Sequence, residues 1–146
     1  MMIKKWLKQT KNEKGLTLVE LLAVVVILGI IAAIAVPSIG GIIENSKKDA
    51  AISNAQQVLS AARLYAASGG DTSNEVVYDE GNGAIAEYHE DITNPWDNET
   101  ISYTVSFEGT VPAISMTYPD KCTIGSTTPL EAAELATAGR SACEGN

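Results

Sequence analysis

Residues 15–36 read GLTLVELLAVVVILGIIAAIAV, and the architecture turns on this stretch. From Leu16 to Val36 only Thr17 and Glu20 are polar. At 1.5 Å per residue that run makes a helix of about 31 Å, enough to cross a bilayer's hydrocarbon core. A carboxylate inside such a run is costly unless it reaches water, takes up a proton or meets a partner. Glu20 is therefore a functional candidate.

On the amino-terminal side, Lys4, Lys5, Lys8, Lys11 and Lys14 against Glu13 give residues 1–15 a net charge of +4, so the chain's −8 becomes −12 without them. Lysines before an apolar span place the N-terminus in the cytoplasm and the residues after 37 outside. An ordinary secretory signal competes with this reading, because Ala33-Ile34-Ala35 fits small-x-small cleavage. The apolar run is longer than the core of such signals, and it carries an acid near its start. The two readings predict different mature N-termini, Leu16 or Val36. Gly15 has no Cβ, so a peptide cut after it can enter a narrow active site in an extended or turned form. That cut creates a cationic amine on Leu16, and Glu20 then has an obvious partner.

With its Lys-rich leader, a glycine before the cut, a glutamate just beyond it and a long apolar helix, KGLTLVELL resembles the N-terminus of type IV prepilins and pseudopilins. The resemblance covers residues 1 to about 65. It implies cleavage between Gly15 and Leu16 by a prepilin peptidase on the cytoplasmic face, then N-methylation of Leu16, which stands where the family usually has Phe. It attributes to Glu20 a pairing with the new amine of an adjacent, axially shifted subunit. It also implies loosening of the helix between Gly29 and Pro37 on assembly. The partners implied are further copies in a helical homopolymer, the peptidase and methyltransferase, the inner-membrane assembly machinery and, before assembly, the membrane. No cofactor is implied.

Beyond Val36 the helical pattern continues. Ala51, Ala55, Val58, Leu59, Ala62, Tyr65 and Ala66 recur three and four apart, and Ser68-Gly69-Gly70 supplies a stop. Residues 16–68 thus read as one helix, apolar over 16–36 and amphipathic over 37–68. Pro37 removes a hydrogen bond, and Gly29 and Gly40-Gly41 weaken the helix, so a kink near 33–37 is expected.

Residues 69–146 read as a head. ISYTVSF (101–107) alternates, with Ile101, Tyr103, Val105 and Phe107 on one face; Gly109-Thr110 turns the chain, and VPAISMTY (111–118) returns with Ile114, Met116 and Tyr118 on one face. Val76-Val77-Tyr78 is a short β-rich piece, and residues 84–92 carry no clear signal. Cys122 and Cys143, an even count outside the cytoplasm, favour a disulfide. Within the loop they close, Thr128-Pro129-Leu130-Glu131 matches a capping box opening a helix over 129–138. The fold class expected is α+β: a long N-terminal helix packed on a small antiparallel sheet, with a disulfide-closed C-terminal loop. The organisation expected is a cleaved leader 1–15, an apolar helix 16–36, its amphipathic continuation 37–68 and a head 69–146.

Between Arg63 and Lys121 there are eleven acidic residues and no Lys or Arg, a surface that repels phosphate backbones, so direct nucleic-acid binding is not expected. His89 is the single histidine, in an acidic loop that reads as plain surface, and no nucleophile or phosphate-cradle motif accompanies it. The chain does not read as an enzyme. DITNPWDNE (91–99) is the one weak calcium candidate, through Asp91, Asp97 and Glu99, in a loop that resembles one near a calcium site in major pseudopilins but lacks EF-hand spacing. Asn98-Glu99-Thr100 matches a glycosylation sequon and reads as accidental behind a bacterial-type leader. The function expected is a structural subunit of a type IV pilus, a membrane protein first and then part of a surface filament. The alternatives are a pseudopilin of a competence or type II secretion-like system, and a non-polymerising anchored or secreted protein.

Overall fold

In the computed structural model, Gly15, residues 17–143 and Gly145 are described. The elements are α1 (Leu18–Ala67), β1 (Val76–Tyr78), a 3-10 turn (Ala86–Tyr88), β2 (Tyr103–Glu108), β3 (Val111–Tyr118), β4 (Cys122–Ile124), β5 (Leu130–Glu131), α2 (Ala132–Ala138) and a second 3-10 turn (Gly139–Ala142). Along the sequence the chain divides into two compact units, with the boundary at Gly41 and Ile42.

In the first unit, α1 is helical through Gly29 and Pro37 without interruption. No residue from Gly29 to Pro37 leaves the helix in the single chain, and the loosening that the resemblance implies there is a property of assembly. Proline's fixed φ is compatible with a helix, and its missing N–H costs one bond in a ladder supported on both sides. None of Gly29, Gly40 and Gly41 has an atom within 4 Å of the place a Cβ would take.

In the second unit, the α1 positions Ala51, Ile52, Ala55, Val58, Leu59 and Ala62 are buried in one cluster with Tyr103, Val105, Ile114, Met116, Tyr118 and Leu135. Three of these helix positions are alanines, which lets the helix backbone lie close to the large side chains of the sheet. α1 ends in a Schellman motif: Gly69, at φ 91°, donates to Ala66 O and Gly70 donates to Tyr65 O.

The sheet is antiparallel in the order β1-β2-β3-β4, with β5 on the β4 side of β3. The hairpin register pairs Tyr103 with Met116 and Val105 with Ile114, so the face read from the alternation is the buried one. Gly109, at φ 66°, takes the first central position of the two-residue turn, where type II′ turns favour glycine. Within residues 84–92 only Ala86–Tyr88 is regular, the first 3-10 turn, and Ile85 before it and Ile92 after it are buried anchors. Gly125 is required by space as well as by its φ of 68°, since a Cβ there would lie 2.5 Å from Ile114 O.

Cys122 and Cys143 form the disulfide, both buried, and it closes the C-terminal loop. The helix in that loop begins three residues later than its sequence suggests. Leu130 and Glu131 pair with Ile114 and Ala113 as β5, and Glu134 then accepts from the Glu131 N–H at 3.2 Å to start α2. Ladder hydrogen bonds to β3 outweigh the local cap at Thr128, because β3 offers an open edge there.

Candidate assembly site in the amino-terminal helix

The start of α1 is built by its own sequence. Thr17 Oγ1 donates to Glu20 Oε2 at 2.8 Å, the Thr17 N–H donates to the same oxygen at 2.9 Å, and the Glu20 N–H donates to Thr17 Oγ1 at 3.2 Å. This is a capping box, with Thr17 at the N-cap and Glu20 at N3. Glu20 therefore has a partner inside its own chain, one the sequence reading passed over although Thr-x-x-Glu before an apolar run is its signature. A carboxylate in the first turn is also favoured by the helix dipole. Only Oε2 is committed in these bonds.

Gly15 is exposed, and a Cβ built on it would meet nothing within 4 Å. Nothing in the packing of the described residues asks for glycine there. Leu16, the expected new terminus and methylation position, lies outside the described residues, as does the leader over 1–14.

From Leu18 to Ile43 the large apolar side chains of α1 are exposed, among them Leu18, Leu21, Val25, Leu28, Ile34 and Val36. The stretch is long and apolar enough to cross a membrane. Such a surface is not stable in water and has to be covered by lipid or by other helices.

The remaining candidates are positioned by the head. In the 91–99 loop, Asn94 is buried and is the hub: its N–H donates to Glu99 O and its O accepts from the Asn98 N–H, both at 2.8 Å, while its Oδ1 accepts from the Trp96 N–H. Asp97 accepts from Asn94 Nδ2 through one oxygen and from the Glu99 N–H through the other, and Asp91 accepts from the Tyr78 hydroxyl at 2.7 Å. Among the described residues no three His, Cys, Asp or Glu side chains, Asp91, Asp97 and Glu99 included, form a metal-holding group. The loop is instead a docking element. The Trp96 indole N–H donates to the Glu44 carboxylate at 3.1 and 3.2 Å, and its ring packs on Tyr118 at 5.5 Å.

His89 is not the free surface residue its flanks suggest. Its Nδ1 meets Glu90 O at 2.6 Å, its Nε2 meets the Tyr103 hydroxyl, and its ring packs on Tyr78 and Tyr103. The alternation of β2 places Tyr103 beneath it, a neighbour that local sequence does not reveal. Burial and the Asp91 hydrogen bond push the Tyr78 hydroxyl up to about 12. Tyr118 is also pushed up to about 12 by burial, against an opposing hydrogen bond from Asn54. These hydroxyls stay neutral in the physiological range and act as hydrogen-bonding struts.

Comparison with known proteins agrees with the geometry at the amino-terminal end. A family profile described as the prokaryotic N-terminal methylation motif matches residues 10–36. No curated protein and no solved structure matches the chain. The matched segment contains Gly15, the Thr17–Glu20 box and the exposed apolar helix, and with it the chain carries the signature of type IV prepilins and pseudopilins.

Proposed function

We propose that this chain is a structural subunit of a type IV pilus. The observation that carries the reading is the exposed apolar length of α1 on a chain whose other end is a polar, disulfide-closed head. In lipid such a helix is a membrane anchor. Out of lipid it is stable only when bundled with copies of itself, with heads on the outside.

The peptidase cleaves between Gly15 and Leu16, and Leu16 is then N-methylated. Gly15 serves the peptidase rather than this fold, which has room for a side chain there. The Glu20 oxygen that the capping box leaves uncommitted receives the amine of a neighbouring subunit. Thr17 holds the carboxylate in a fixed rotamer for that pairing, so its ordering cost is met before assembly. Loosening between Gly29 and Pro37 belongs to the assembled filament, where helix–helix contacts can replace lost backbone bonds.

Mass spectrometry of filaments sheared from the producing cells tests this directly. The expected species begins at methylated Leu16, contains the Cys122–Cys143 disulfide and dominates the preparation. A trace species in short envelope-bound fibres points to a pseudopilin instead. A chain that begins at Val36, or keeps residues 1–15, refutes the reading.

A further inference from the structure

We infer that Lys47 and Lys48 form a docking surface for the acidic head of a second copy of this chain, an inference that rests on the filament reading above. Both lysines lie on α1 in the turn before its first core residue, Ala51; both are half-buried. The carboxylates beside them are already engaged. Glu44 is held by the Trp96 indole, and Asp49 is held by Arg140, whose Nε donates at 2.8 Å and Nη2 at 2.5 Å. Asp49–Arg140 is the one ion pair among the described residues, so neither lysine has an ionic partner among them.

The two signs are segregated along the sequence. The free cations of α1 within the second unit are Lys47, Lys48 and Arg63, while residues 64–120 hold eleven acids and no Lys or Arg. Subunits of net charge −12 repel when their heads are packed side by side, and the repulsion grows with each neighbour. A head-to-tail contact between unlike patches of one chain relieves it, and a heterologous contact of this kind, repeated without closing, builds an open helical polymer. Single exposed pairs are weak, but this contact recurs at every subunit and excludes wrong registers by placing acid against acid.

The test uses the full chain in producing cells. Lys47→Glu/Lys48→Glu is expected to lower the share of processed subunit in sheared filaments roughly tenfold, about 1.4 kcal/mol per contact, with cleavage and the disulfide unchanged. Glu80 and Glu99 are exposed acids whose side chains make none of the head's hydrogen bonds described above. Adding Glu80→Lys/Glu99→Lys to the lysine reversal is expected to restore filaments. An unchanged filament share in the lysine reversal overturns the contact, as does failure of the combined variant to recover. Reduced binding of the reversed chain to anionic phospholipid vesicles, with filaments intact, assigns the lysines to a lipid surface and also overturns it. Absence of wild-type chain from filaments overturns the pilus reading itself, whereas wild-type filaments indifferent to the reversal overturn the contact alone.

Discussion

Removing the Cys122–Cys143 bridge probes how the head holds its C-terminal segment. The cysteines are 21 positions apart, so the bond closes a loop of about 22 residues. The chain-entropy relation gives a loss of about 11 cal/mol/K from the unfolded state, or about 3 kcal/mol at 25 °C. Both cysteines are buried beside the cluster that contains Leu135, Ile124 and Tyr118. Cys122→Ala/Cys143→Ala removes the bridge without burying a new polar group. With a urea slope of about 1.5 kcal/mol/M, the unfolding midpoint falls by about 2 M. Trp96 is the natural reporter, since it is the one tryptophan beyond residue 15 and sits against Tyr118 and Glu44. The assay is urea titration of detergent-solubilised processed subunit, following Trp96 fluorescence, with wild type and variant side by side. A midpoint shift below about 0.5 M at unchanged slope would show that β5, α2 and the Asp49–Arg140 pair hold the segment without the bridge. It would refute the entropic account.

Other expectations follow from particular contacts. Glu20→Gln keeps an oxygen for the Thr17 cap but removes the charge, so assembly into sheared filaments is lost while cleavage persists; Thr17→Val, which loosens the cap and keeps the charge, retains most filaments, and the reverse result, filaments kept in Glu20→Gln and lost in Thr17→Val, would assign Glu20 to capping alone. Gly15→Val leaves the folded chain intact and blocks leader removal, read as uncleaved mass in membranes. Tyr78 and Tyr118 ionise at about 12 when folded, against about 10 when unfolded. Their contribution is therefore complete below pH 10 and is lost as pH rises from 10 to 12, which a urea midpoint series across that range measures. Arg140→Ala removes a half-exposed pair with Asp49 and shifts the urea midpoint by a few tenths of a molar at most, since exposed pairs contribute little.

Periodicity alone determined the long helix, its glycine stop, the β2–β3 hairpin and the face that hairpin buries, because each depends on near neighbours in the chain. The motif at Gly15 and Glu20 was equally legible, since processing signals are read by other proteins as linear sequence. The capping box of Thr17 and Glu20 is legible too, since Thr-x-x-Glu before an apolar run is a helix-start pattern as well as the site of a charge. Leu130 and Glu131 show the opposite case: their local signals favour a helix, and the open edge of β3 made them a strand. The 91–99 loop offered oxygen ligands on paper, yet Asn94 at its centre and Glu44 on α1 used its polar groups for hydrogen bonds. His89 found Tyr103 across fourteen residues of chain. Hydrogen bonds to partners distant in sequence are set by which elements the core brings together, so tertiary structure alone decided them.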